Sequence, residues 1–425
     1  MRGTKFRKTP GQEACVVPIS GHLVSRVGHH LKEATLTESS VPRSGVSRRN
    51  FLLGGAVGIA GLAALPLFRT PGRQQNPLTC IAPDVSDTER KLIISNWPAY
   101  IDEDTKDQIS TLTQFQSESG IGVTYVADVN DNVEFFSKVV NQLGACQTTG
   151  HDMFMLTDWM AARMIKMGWI QKFDKANVPN LDAQLISSLQ GVGWDLKREY
   201  SAPWQSGFTG IAYNKAEVGE VRTMDELLTR SDLKGRISLL SEMRDTMGLL
   251  MLSDGADPSK FTTGEWDTAL EKLRKARASG QIRAFTGNEY INDLAAGNIA
   301  ACAAWSGDVA AAGNDNLVFL PPDEGMMIWA DNMLIPNLAT HQKNAEKWVN
   351  YYYEPEIAAR LAASVLYVCP VAGAQAAMEK IDPTLVDNPL IFPTKEYLAQ
   401  THSFMALEEY QMREYEGAYS DVTGG

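Results

Sequence analysis

Lys91-Leu-Ile-Ile-Ser-Asn-Trp-Pro-Ala-Tyr100 decides the fold. Its first half, Lys91–Ser95, reads as a short apolar strand, and its second half is a loop carrying two aromatics three residues apart. Open α/β sheets bind ligands at loops on the carboxyl ends of strands. Aromatic faces at such a place suit an apolar or cationic small molecule. A lone Trp-Pro-x-Tyr is more often core packing than a binding site, so the weight falls on what surrounds it.

Downstream, strand and helix alternate. Asp104 is expected to cap a helix that spaces Ile109, Leu112 and Phe115 at three-residue steps. Residues 122–127 read as a second strand and 132–143 as a helix with Val133, Phe136, Val140 and Leu143 on one face. Residues 152–156 read as a third strand. This order predicts a parallel sheet with right-handed crossovers. Further on, Thr223-x-x-Glu226 and Thr262-x-x-Glu265 read as capping boxes, and Gly280 as a helix stop. Residues 235–241 and 299–305 read as strands, the latter buried on both faces. Residues 343–353 and 355–365 read as late helices.

A chain of 425 residues exceeds what one core usually serves, so two α/β lobes with a ligand cleft between them are expected. The net charge of −12 hides an asymmetry. Residues 1–80 carry 11 Lys or Arg against 3 Asp or Glu, which leaves 28 basic and 48 acidic residues in the remainder. So acidic a domain argues against a nucleic-acid partner and favours cationic ligands. The basic leader contains Ser47-Arg-Arg-Asn-Phe-Leu-Leu53 before a glycine-bearing apolar run, residues 51–68, and resembles a twin-arginine export signal. Export permits a disulfide among Cys15, Cys80, Cys146, Cys302 and Cys369, without indicating the pair. Lipidation at Cys80 is a second use of that residue, although Thr79 fits a lipoprotein processing site poorly. Neither the cysteines nor the six histidines have metal-ligand spacing.

No nucleophile elbow, P-loop or zinc-protease motif occurs. Instead, aromatics stand next to acids at loop ends: Leu156-Thr-Asp-Trp159, Ser241-Glu-Met-Arg-Asp245, Trp305-Ser-Gly-Asp308 and Trp329-Ala-Asp331, with Tyr367 at a late junction. A polyamine explains that combination. Aromatic walls sandwich its methylenes and attract its ammonium groups, and carboxylates accept hydrogen bonds from each amine.

The order and spacing of these pieces over residues 92–419 resemble the periplasmic spermidine/putrescine-binding protein family of ABC importers. The resemblance is carried by N-W-x-x-Y at residues 96–100 and D-x-x-x-x-T-x-W at 152–159. A Lys234-Gly235 strand then runs into an acid pair, followed by W-x-G at 305–307, W-x-D at 329–331 and Tyr367. It implies a two-lobed α/β periplasmic-binding-protein fold of type II, with the ligand in the interlobe cleft and a hinge that closes on it. Residues 1–80 are expected to form leader, signal and tether. Residues 88–207 plus 329–368 are expected to form one lobe, and 208–328 plus 369–425 the other.

The resemblance implies that Trp97, Tyr100, Trp159, Trp305, Trp329 and Tyr367 wall the ligand, with Thr157 beside them. It implies that Glu242, Asp245 and Asp331 hold its amines. It further implies an exported monomer that delivers spermidine or putrescine to an ABC permease, with no catalysis, cofactor or metal. The chain departs from the family at Ser241-Glu242-Met-Arg-Asp245, where the acids are rearranged. A family glutamine also lacks a clear match around residues 400–405. Two other readings predict different polar contacts. A sugar or opine receptor calls for Asn, Gln and Arg, and an exported hydrolase needs two carboxyls on opposite sides of one bond.

Overall fold

The computed structural model describes residues 80–424. The twin-arginine motif and most of the leader fall outside the described residues. Ten strands build one mixed sheet: β1 Lys91–Asn96, β2 Gly122–Ala127, β3 Met153–Thr157, β4 Ala202–Asn214, β5 Ile237–Leu240, β6 Ile282–Thr286, β7 Ala301–Trp305, β8 Leu317–Leu320, β9 Met326–Leu334 and β10 Thr401–His402. The main order is β2-β1-β3-β9-β4-β7-β5-β6. β2, β1 and β3 are parallel, as are β7, β5 and β6. The expected parallel units are therefore present, one at each end of the sheet.

Between them run two antiparallel strands. β9 pairs with β3 and β4, and β4 pairs with β9, β7 and β8. All thirteen residues of β4 are buried. The sequence reading missed this strand because Pro203, Gly207 and Gly210 punctuate it. Those residues have local causes. Pro203 sits at a break in the register with β9, where a missing N–H is tolerated. A Cβ on Gly207 would lie 2.6 Å from the Trp329 ring and 2.8 Å from Tyr367. The glycine is there because two large rings lie against the strand.

Several local expectations shift. The first helix is Thr111–Ser119, capped by Ser110 rather than Asp104, and Ile109 is exposed. The Asp104 carboxylate instead accepts from the Ser110 backbone N–H at 2.6 Å, so it supports the cap from outside the helix. The helix Asn132–Gly144 turns Phe135, Phe136, Val139 and Leu143 inward and leaves Val133 exposed, a face rotated from the expected one. Thr262 and Glu265 form a full capping box. At Thr223 only half forms, because Glu226 accepts from Arg222 N–H instead. The helix Pro355–Val365 has the expected bounds.

Cys80 is bonded to Cys146, at the end of the helix Asn132–Gly144. A sulfur held in a disulfide has no valence left for a lipid thioether, so the lipidation reading of Cys80 gives way to a cross-link. Among the described residues, no helix is long and apolar enough to cross a membrane.

Candidate functional site

All ten positions singled out in the sequence line one cleft, around a cavity of about 110 Å³. Trp97 and Tyr100 lie in the loop after β1. Thr157 ends β3, and Trp159 lies in the helix Asp158–Lys166 that follows. Glu242 and Asp245 open the helix Met243–Ser253 after β5, and Trp305 ends β7. These are carboxyl ends of strands belonging to the two parallel units, where α/β sheets present ligand loops. Trp329 and Asp331 come from β9 between the units. Tyr367 follows Leu366, whose left-handed backbone (φ 55°) ends the helix Pro355–Val365 and turns the chain toward the cleft.

Five aromatics form a belt of neighbouring rings. Trp97 meets Trp305 at 5.8 Å between ring centres, and Trp305 meets Trp329 at 6.5 Å. Trp329 meets Tyr367 at 5.5 Å, and Tyr367 meets Tyr100 at 5.1 Å. Three of these contacts are edge to face, which fixes ring orientation. Trp159 also lines the cleft, outside this belt. The Arg244 guanidinium covers its ring at 3.4 Å and also pairs with Glu416 at 3.4 Å.

Glu242 and Asp331 are buried and Asp245 is partly buried, and all three are held by neutral donors. Asp331 accepts from Thr157 Oγ1 at 2.7 Å. Asp245 accepts from Thr209 Oγ1 at 2.5 Å and from Trp305 Nε1 at 3.2 Å. Glu242 accepts from Asn132. Among the described residues, none of the three makes an ion pair with another side chain. Burial therefore pushes the Asp331 carboxyl up to about 7 and the Asp245 carboxyl up to about 6. Burial, with Asp131 nearby, also holds Glu242 well above the usual carboxylate range. Burial lowers Arg244 to about 10.

The sequence reading missed several lining residues. Asp308 accepts from Tyr367 Oη at 2.7 Å, Asn288 Nδ2 at 2.9 Å and Tyr290 Oη at 3.0 Å, and burial raises its pKa. Its signal was present, since Trp305-Ser-Gly-Asp308 is one of the aromatic–acid loop ends. A Cβ on Gly307 would lie 2.3 Å from the Tyr367 ring, so the glycine lets that tyrosine reach Asp308. Asp158 also lines the cleft, but its charge is answered from below. Asn332 Nδ2 donates to it at 2.8 Å, and Asn332 Oδ1 accepts from Arg198 at 3.0 Å. Ser403 and Phe404 lie where no family glutamine could be matched. Their role was invisible because only tertiary folding returns that segment to the cleft.

Comparisons with known proteins agree on a family. A sequence model described as bacterial extracellular solute-binding protein matches residues 110–393. The putrescine-binding periplasmic protein PotF of Escherichia coli strain K12 is 28 % identical over 360 residues, 79 % of this chain and 92 % of that protein. The spermidine/putrescine-binding periplasmic protein 1 of Haemophilus influenzae is 25 % identical over 311 residues, 72 % and 81 % of the two chains. Among solved structures, a putative spermidine/putrescine ABC transporter from Listeria monocytogenes superposes with a TM-score of 0.69 at 26 % identity. That match covers 79 % of this chain and 99 % of the other.

Proposed function

Since the chain belongs to the bacterial extracellular solute-binding proteins, we propose that it captures spermidine or putrescine outside the cytoplasm and delivers it, as a monomer, to an ABC permease. The observation that carries this reading is the pairing of an aromatic belt with the buried carboxylates Glu242 and Asp331 and the partly buried Asp245 and Asp308 in one cleft. A buried carboxylate without a cation is costly, and an ammonium supplies the missing partner. The methylenes between ammonium groups suit the rings. On this reading the lobes meet along β4 and β9, near residues 207 and 329, and the cleft closes there. Similarity to relatives named for putrescine and spermidine supports the same ligand class.

An opine or amino-acid ligand would require a cation for its carboxylate. Arg244, the cation in the lining, is already engaged by Glu416 and Trp159. A hydrolase using Glu242 and Asp245 is disfavoured because both stand at the start of one helix rather than across a cleft from each other. The family's business is binding and delivery, not catalysis.

The pH dependence tests this reading. Burial pushes the Asp245 and Asp331 carboxyls up to about 6 and about 7, against about 3.9 for an unfolded Asp. Folded-state values above the unfolded one give a stability contribution that is full below about pH 3.9. It is lost as pH rises through 6 to 7. The unliganded protein should therefore lose stability over that window as far as these two groups decide it. Ammonium binding needs the ionised acids, so affinity should change in the opposite sense. Calorimetric titration with putrescine and with spermidine should show binding at least about tenfold tighter at about pH 8 than at about pH 5, with proton release on binding between them. No heat with either amine at any pH would sink the proposal.

A further inference from the structure

A hydrogen-bonded chain crosses the cleft through a residue outside the expected binding set. Asn132 is the first residue of the helix Asn132–Gly144 and is 1 % exposed. Its backbone N–H donates to Glu242 Oε1 at 2.6 Å, and its Nδ2 donates to the same oxygen at 2.8 Å. Nδ2 also donates to Thr157 Oγ1 at 2.8 Å, while Asn132 Oδ1 accepts from the Thr157 backbone N–H at 3.1 Å. Thr157 Oγ1 in turn donates to Asp331 Oδ1 at 2.7 Å. Two acceptors on the nitrogen side and an N–H on the oxygen side allow the amide one orientation. A hydroxyl has a single proton. With Asn132 donating to the Thr157 oxygen, that proton is committed to Asp331.

The first link of this chain, between Glu242 and Asn132, joins opposite parallel units of the sheet. Asn132 follows β2 and Glu242 follows β5. The surrounding contacts join the same two units, one through the Glu242 segment and two through the loop after β6. Ser241 Oγ donates to Asp131 Oδ2 at 3.0 Å, Asn130 Nδ2 to Glu289 Oε1 at 3.0 Å, and the Asn288 N–H to Asn130 Oδ1 at 3.3 Å. The approach is tight at Gly287, where a Cβ would lie 2.5 Å from the Asn130 carbonyl oxygen. The carboxylate of Glu242 also sits at a helix N-terminus, where a negative charge is favoured.

We propose that Asn132 is a positioning residue that makes the geometry of the Asp331 acceptor depend on docking of the Glu242 segment. When Glu242 engages Asn132, the amide is fixed, the Thr157 hydroxyl is turned onto Asp331, and the carboxylate is held in place for an amine. When the segments part, the amide loses its anchor and the hydroxyl is free to rotate. Glu242 thus serves the site through this relay in addition to lining it. The proposal rests on the cation-capture reading above.

Putrescine binding by the exported protein, followed by calorimetry from about pH 5 to about pH 8, tests it. Asn132→Ala should weaken binding about tenfold at the upper end and move the pH profile upward, because Asp331 loses an oriented donor. Gly287→Ala leaves the relay side chains intact but holds the segments apart, and should weaken binding similarly. The double variant Asn132→Ala with Asp331→Asn should bind no more than about twofold worse than Asp331→Asn alone, as expected of residues acting as one unit. A purely structural Asn132 would leave the pH profile in place, and independent action would make the two losses multiply. Either result overturns the proposal, as does parental binding by Gly287→Ala. Should Asn132→Ala fail to fold, Asn132→Ser, which keeps a short polar side chain at the start of the helix but not the two-ended amide, serves the same comparison. If the parent binds no amine, it is the cation-capture reading that fails. The relay is then judged by carboxyl ¹³C titration of Asp331, whose midpoint should rise in Asn132→Ala and would stay unmoved if the relay is idle.

Discussion

Asp331→Asn should weaken polyamine binding by more than about tenfold while leaving the fold intact. Asp331 is 3 % exposed, stands in β9 between the two parallel units, and accepts from Thr157. The amide keeps the volume and an acceptor oxygen but removes the charge. An ammonium facing it then loses its ionised partner, while the newly added NH₂ points donor to donor. The substitution should also stabilise the unliganded protein at neutral pH, since the burial that raises this carboxyl to about 7 is an ionisation cost the amide does not carry. Lower affinity together with an unchanged or higher Tm is the expected pair of results. Unchanged affinity in calorimetry would remove Asp331 from the site.

Trp305→Ala should weaken putrescine and spermidine binding by similar factors, again about tenfold or more, and should cost about 3–5 kcal/mol of stability. The indole is 5 % exposed and meets three rings, those of Trp97, Trp329 and Tyr290. Its Nε1 donates to Asp245. Truncation breaks the belt between Trp97 and Trp329 and withdraws a donor from Asp245, which pushes that acid further toward its neutral form. Because a flat wall does not count amines, the loss should not discriminate between the two ligands. A variant that binds both amines like the parent would make Trp305 a packing residue alone, and a loss confined to one amine would show that it reads ligand length.

What the sequence made legible is local chemistry placed at strand ends. The run Lys91–Tyr100, the aromatic–acid pairs and the late Tyr367 all reach one lining because each sits where a strand or helix stops. Short-range spacing records such stops well. β4 was illegible for the converse reason. Gly207 and Gly210 read as breaks, yet they are spaces cleared for Trp329, Tyr367 and the β8 backbone, and that requirement comes from residues more than a hundred positions away. Ser403 and Phe404 were hidden likewise. Asn132 looked like an ordinary helix start, and its bonds to Thr157 and Glu242 exist only once the parallel units face each other. The contact between Trp159 and Arg244 was illegible too, since nothing in either residue alone says that the ring will be covered by the guanidinium.

Thermal unfolding of the exported protein, with and without candidate ligands, tests the central claim most directly. At about 100-fold its dissociation constant, a ligand stabilises the native state by about 2.7 kcal/mol, which raises Tm by a few degrees. Putrescine or spermidine should produce that shift at about pH 8 and a smaller one at about pH 5, while maltose and γ-aminobutyrate leave Tm in place. A shift with maltose or γ-aminobutyrate and none with any polyamine would contradict the account.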